Sequence, residues 1–241
     1  MPLYYQEEET CAFCGQVSSH TEFKKIEWTG WSDLDTRQPE PYRSHIYHYI
    51  HCCPNCGFCS TDLEYNKEAQ LGLVETDAYQ LQLRDPDLPV LANEYLCWAM
   101  ILIEKGEPTS AERDQHEAAW ICDDKMDSEA ASHCRNIALN TLQKVKFLGL
   151  EIACTWADYH NNFIEEVELL RRLGRHREAL VICEDGIEIE VDEIGLCVLR
   201  FERDLILQGD CKTHKVEEAF ARHIPDWKDR FYEPEFTMWR V

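Results

Sequence analysis

Two short cysteine knuckles constrain this chain more than any other feature. They are Cys11-Ala12-Phe13-Cys14-Gly15 and Cys53-Pro54-Asn55-Cys56-Gly57. Two thiolates three residues apart on a tight turn bite one ion from the same side. A following glycine frees the backbone to turn, so amide N–H groups can face sulfur. Two such knuckles complete a tetrahedral four-cysteine set, the geometry preferred by structural Zn²⁺. The reading is therefore one Zn²⁺ on Cys11, Cys14, Cys53 and Cys56, with the strands between them forming a ribbon.

The remaining cysteines sharpen that reading. The chain has 13, an odd number, so they cannot all pair as intramolecular disulfides. Six lie in the first sixty residues: Cys52 and Cys59 besides the four above. Cys56-x-x-Cys59 is also a legal ligand spacing, and Cys52 adjoins Cys53. Adjacent residues rarely both reach one ion, and the Pro-x-Cys-Gly form favours Cys53 with Cys56. His20, His45, His48 and His51 lie nearby, but strand alternation explains the last three more simply than ligation. The other seven (Cys97, Cys122, Cys134, Cys154, Cys183, Cys197 and Cys211) sit singly in apolar, helix-like stretches and read as core filler.

Two rivals use the same cysteines. The CxxCG and CPxCG pair also resembles the rubredoxin pattern, in which the four-cysteine ion is iron and carries one electron. Thiol–disulfide exchange at Cys11/Cys14 or Cys56/Cys59 is the second, but neither knuckle sits in the βαβ setting such a motif needs.

The texture of the 241-residue chain changes near Thr61. Before it, strand formers dominate: Val17 to Trp28 carries Phe23, Ile26 and Trp28, and Ser44 to His51 reads as a half-buried strand. After it the period is helical. Thr61-x-x-Glu64 is a capping-box candidate. Pro89 suits the start of a helix ending at Gly106, with Leu91, Tyr95, Trp98, Ala99 and Leu102 on one face. Further helices are expected after Pro108 and Asp127, over Phe163 to Leu173, and over Arg177 to Ile189 and Ile194 to Leu207. The fold class is thus α+β, mainly α: a zinc-ribbon-like domain over 1–62 and a helical stack over 63–241. A sixty-residue unit buries little core, so a metal would hold it together.

Leu173-Gly174-Arg175-His176-Arg177-Glu178-Ala179-Leu180, with Cys183 and Gly186, resembles the turn and second helix of a tetratricopeptide repeat. One repeat cannot bury its own face, so neighbouring helix pairs are expected to be degenerate repeats. Arg171, Arg172, Arg175 and Arg177 form the densest basic island; helix-end electrostatics and pairing with Glu165, Glu166 and Glu168 account for it more simply than an acidic partner. Asp33 and Asp35, with Trp28, Trp31 and Arg37, lie between the knuckles. Acid–base work is conceivable there, but a polar connection between strands is the simpler reading.

The whole chain resembles the uncharacterised bacterial family catalogued as domain of unknown function 2225. The matching pieces are Cys11/Cys14, Ser32-Asp33-Leu34-Asp35, Cys53-Pro54-Asn55-Cys56-Gly57, and Leu170-Arg171-Arg172-Leu173-Gly174. The family implies no established activity.

Charge and motifs narrow the function classes. The formal net charge is −22, with 24 Lys+Arg against 46 Asp+Glu. Residues 1–62 and 63–241 are both acidic, so neither reads as a phosphate-tracking surface, and no nucleic-acid partner is expected. The longest apolar run, Leu96 to Ile103, is too short for a membrane span. Met1 to Thr10 lacks the apolar core of a secretory signal, so the expected location is cytoplasmic. No HExxH, P-loop or dinucleotide glycine motif appears. A zinc-stapled module that binds a protein or peptide is therefore favoured over an enzyme or electron carrier.

Overall fold

The computed structural model describes residues 4–23, 30–64, 71–150, 162–190 and 192–228. Ile26, Trp28 and Cys154 lie outside the described residues. The protein is mainly helical, with small hairpins near its N-terminus. It forms two compact units: Met1–Glu27 with Ser44–Leu148, and Trp28–Arg43 with Gly149–Val241. The units are built from interleaved pieces rather than from 1–62 and 63–241.

The first unit opens with β1 (Tyr4–Thr10) and β2 (Val17–Phe23), an antiparallel pair running from Tyr4 opposite Phe23 to Thr10 opposite Val17. A second, minimal hairpin pairs β3 (His51–Cys52) with β4 (Cys59–Ser60), setting Cys52 opposite Cys59. Between the hairpins, the expected strand over Ser44 to His51 is instead a helical turn. It comprises α1 (Tyr42–His45) followed by a 3₁₀ turn at Ile46–His48. The physical reason lies in tertiary contact rather than in spacing. Ile46 and Ile50 are buried while Tyr47 and Tyr49 are exposed, an alternation that a strand would show as well. The Tyr95 hydroxyl donates to the Ile46 carbonyl (2.8 Å) and holds the turn in place.

Among the described residues, five helices follow: α2 (Leu71–Val74), α3 (Asp77–Leu83), α4 (Val90–Glu104), α5 (Pro108–Asp124) and α6 (Ser128–Phe147). Their ends obey local chemistry. Thr76 caps α3 through the Tyr79 N–H, and Asp127 caps α6 through the Ala130 N–H. Pro108 starts α5, where its missing N–H costs nothing. The expected capping box at Thr61 is not formed. The Glu64 carboxylate accepts the Thr10 N–H instead (2.9 Å). Helices α4, α5 and α6 pack in succession. Tyr79, Tyr95, Cys97, Ile121 and Cys134 join Ile46, Phe58, Cys59 and Leu63 in one core. The cysteine hairpins and the first helices therefore share their apolar interior.

In the second unit α7 (Asn162–Arg172), α8 (His176–Ile189), α9 (Glu193–Gln208) and α10 (Val216–His223) pack in order. Gly186 lies where α8 meets its neighbours: an added Cβ would stand 3.2 Å from Leu199 and 3.3 Å from Phe163. The segment around Ser32–Asp35 adds itself to this unit through backbone pairing. The Leu34 N–H donates to His214 O (2.8 Å), the Val216 N–H donates to Ser32 O (3.0 Å), and Asp33 bridges to Lys215. Leu34 is buried, and Trp31 meets the Phe220 ring edge-on at 4.8 Å. Among the described residues, no helix is long and apolar enough to cross a membrane.

Candidate metal centre

Both knuckles have the same build. Cys11 directly follows β1 and Cys53 directly follows β3; β2 and β4 begin six residues later. In the first, the Gly15 N–H donates to Cys11 O (2.8 Å) and the Cys11 N–H to Gln16 O (2.9 Å). In the second, the Gly57 N–H donates to Cys53 O (2.9 Å) and the Cys53 N–H to Phe58 O (2.8 Å). Gly15 and Gly57 have φ of 73° and 78°, left-handed backbone that side chains disfavour. At Gly57 a Cβ would also meet Leu83 Cδ2 at 2.4 Å, so glycine is needed there twice over.

The two turns face each other and bring Cys11, Cys14, Cys53 and Cys56 together. Their four Sγ atoms all lie within 4.8 Å of one another. Across the knuckles, Cys11 stands 3.7 Å from Cys56 and Cys14 stands 3.6 Å from Cys53. Four sulfurs at about 2.3 Å from a central ion sit about 3.8 Å apart along the edges of a tetrahedron. The observed spacing is thus that of a four-thiolate set able to hold one metal ion. Burial raises the thiols of Cys11 and Cys56 above their ordinary range. The exposed Cys14 is pulled down to about 6, chiefly by its hydrogen bond with the Asn55 side chain.

Cys52 and Cys59 stand outside this set. Cys59 is fully buried beside α3, where its N–H donates to the Tyr79 hydroxyl (3.1 Å), which in turn donates to Gly57 O (3.0 Å). That clamp fixes the second knuckle to a helix, a link that no local cysteine spacing announces. The first knuckle is tied down by charge. His51, 3% exposed, has Nδ1 2.5 Å from Glu9 and Nε2 3.4 Å from Glu22, and its ring stacks on His20 at 4.5 Å. The second Glu9 oxygen accepts the Leu63 N–H (2.9 Å). Glu9, Glu22 and His51 could also offer ligands to an ion; as they stand they bridge β1–β2 to β3. Burial raises the nearby Glu94 to about 7, with His51 opposing.

The Asp33–Asp35 segment and the Arg171–Arg172 pair, far apart in sequence, meet in the second unit. Asp33 and Asp35 are buried. Arg43 holds Asp33 at 2.8 Å, and Arg172 lies 3.6 Å from Asp35 and 3.5 Å from Glu168. Burial, reinforced by Asp35 and opposed by Arg43, lifts Asp33 to about 6. Arg171 is 0% exposed; its Nε lies 2.5 Å from Glu202, and Nη1 donates to the Asp210 and Lys212 carbonyls. The surface island expected at this turn is therefore half interior. Arg171 is a core cation, whereas Arg175 makes an exposed pair with Glu178 (2.6 Å). The paired acidic residues serve as partners for arginine within a folded network.

Of the seven later cysteines expected in the core, Cys97, Cys122, Cys134, Cys183 and Cys197 are buried. Cys211 is exposed, because it sits in the turn after α9 rather than within a helix.

Together the fold and the cluster define a mainly helical protein with a four-cysteine group able to bind a metal ion. No family model, no curated protein and no solved structure matches this chain. The motif resemblance to domain of unknown function 2225 consequently rests on its residues alone and assigns no family.

Proposed function

We propose that Cys11, Cys14, Cys53 and Cys56 hold one Zn²⁺ in a structural role, making this a zinc-stapled helical module for binding another protein or peptide. The observation that carries the metal reading is the convergence of two matched knuckles on sulfur spacings of 3.6 and 3.7 Å. An all-thiolate set closes the coordination sphere, whereas catalytic zinc keeps one position open. The site as proposed resembles a zinc ribbon in which two short hairpins each supply two ligands.

The partner reading rests on the second unit. Ala179, Cys183 and Gly186 are the buried small residues of α8, at the offsets a tetratricopeptide-like turn requires. Helical pairs stacked in this way offer a face for an extended peptide.

Elemental analysis of the purified full-length protein tests the metal. The expected result is about one equivalent of zinc in a colourless sample. Stoichiometric iron with visible absorption would overturn the zinc assignment and favour a rubredoxin-like electron carrier. Affinity capture with the full-length chain from its native cell tests the module: a stoichiometric protein partner is expected, and capture of none would sink that half.

A further inference from the structure

We propose that Cys211, with His176 as its base, is a reactive thiol that undergoes exchange with small disulfides. Among the described residues it is the one exposed cysteine outside the four-cysteine cluster. Its Sγ stands 3.5 Å from His176 Nε2, a nucleophile and a base within reach of each other. His176 is the first residue of α8, while Cys211 lies beyond the end of α9, so the pair is assembled by tertiary structure.

The turn that carries the thiol is held rather than loose. Arg171 Nη1 donates to the carbonyls on both sides of Cys211, to Asp210 O at 3.2 Å and Lys212 O at 2.8 Å. The Asp210 carboxylate accepts the Lys212 N–H at 2.6 Å, closing a turn around Cys211. Gly209, in left-handed backbone at φ 70°, ends α9 just before it. On the facing turn, Gly174 contributes no side chain, and a Cβ there would have Cys211 Sγ as its neighbour at 3.9 Å. The thiol is thereby fixed near the imidazole and open to solvent. The Cys183 thiol, by contrast, is buried and donates to Leu199 O at 3.1 Å, whereas the Gly209 carbonyl lies 4.0 Å from Cys211 Sγ.

The chemistry balances without a further reagent. The Cys211 thiol passes its proton to His176 Nε2. The thiolate attacks one sulfur of a small disulfide, forming a new S–S bond as the old one breaks. The electron pair leaves on the other sulfur, and that thiolate takes the proton from His176. Cys211 is oxidised to a mixed disulfide, and half of the reagent is reduced to a thiol. His176 Nδ1 has no hydrogen-bond partner among the described residues, so nothing orients the ring from behind as the third member of a triad does. The pair therefore suits a stoichiometric modification, not turnover.

The test uses full-length, zinc-loaded protein, hydroxyethyl disulfide as the probe, and mass mapping of each cysteine over time. Cys211 should form the mixed disulfide first, and about tenfold faster than the same cysteine in a short unfolded peptide of its own sequence. His176→Gln should slow it by about tenfold with melting unchanged, and Arg175→Gln should leave the rate as it is. Earlier modification of Cys14 or Cys56, a peptide that reacts as fast as the protein, or an unchanged rate in H176Q would each overturn the proposal. Should H176Q melt early, the peptide comparison on the native chain still decides.

Discussion

Around the four cysteines, the chain has two short hairpins, a cluster of thiols and a shared apolar core with α3 to α6. Around Arg171, it has packed helices and a buried set of opposite charges: Arg171 with Glu202, Arg172 with Asp35 and Glu168, Arg43 with Asp33. With the proposed ion on its cysteines, the first region depends on an atom supplied from outside. The second is complete in its own side chains. A metal-held site fails when its ligand is taken away, and a buried ion network fails when one of its own members is taken away. The two regions should therefore respond to different insults.

Removing the metal is the harshest test of that contrast. Structural four-ligand zinc sites carry apparent binding free energies on the order of 10 kcal/mol. Chelation, or Cys14→Ser, should abolish hydrogen-exchange protection across β1–β2 and the knuckle at 53–58. The loss should reach α3 through the Tyr79 clamp, while protection over 162–228 stays the same. Loss of protection throughout the chain would break the comparison.

The matching insult to the second unit is Arg171→Met. It leaves Glu202 buried without its cation and the Asp210 and Lys212 carbonyls without their donor. Loss of one partner from such a pair costs about 3–5 kcal/mol. Thermal melting should show this, and the double variant R171M/E202L should recover much of it. A double variant no better than the single one would show that charge pairing is not what holds this region.

The two knuckle glycines sharpen the picture within the first unit. Gly15→Ala meets open space and bears only the left-handed backbone penalty of about 1–2 kcal/mol. Gly57→Ala adds the clash with Leu83, for about 1–3 kcal/mol more. Equal denaturation midpoints for the two variants would contradict the clamp against α3.

Acidity should act on the second unit through Asp33. Its folded value of about 6 lies above the ordinary 3.8. Between roughly pH 4 and pH 6 the folded chain then binds more protons than the unfolded one at this site. Its contribution is most favourable at low pH and is lost as pH rises through that window. Asp33→Asn should flatten the stability-versus-pH curve there, and an unchanged slope would remove Asp33 from the account. The smallest effect belongs to Arg175→Gln, whose exposed partner Glu178 makes a shift of more than about 1 kcal/mol unexpected.

Much of the candidate site was legible in the chain itself. A Cys-x-x-Cys-Gly turn is a local object: its spacing sets the bite, and its glycine supplies the left-handed residue. Helix ends were legible for the same reason, as Pro89, Gly106, Pro108 and Asp127 act within one turn of where they stand. The turn at Ser44–His51 reads as a strand in the sequence because β-forming residues dominate and burial alternates from Ile46 to Ile50 as a strand's would; the Tyr95 hydroxyl that holds the Ile46 carbonyl is a tertiary contact with no local signature. The strand Tyr4–Thr10 carries no apolar alternation to reveal it; its side chains are nearly all exposed, and its partner alone defines it.

What the sequence determined by itself is everything whose cause lies within a few residues: the two knuckles, the caps, the helical periods and the acidic balance that sets a charge of −22. What tertiary structure decided is everything that depends on closing a long loop. The Tyr79 clamp, the meeting of Asp35 with Arg172, the burial of Arg171 and the approach of His176 to Cys211 each join residues from different elements. Such contacts depend on where helices pack, and packing responds to the summed shape of many side chains rather than to any local pattern. The same arginine-rich turn therefore holds one residue in the core and another in water, a difference that becomes visible only when α9 and the chain beyond it close over Arg171.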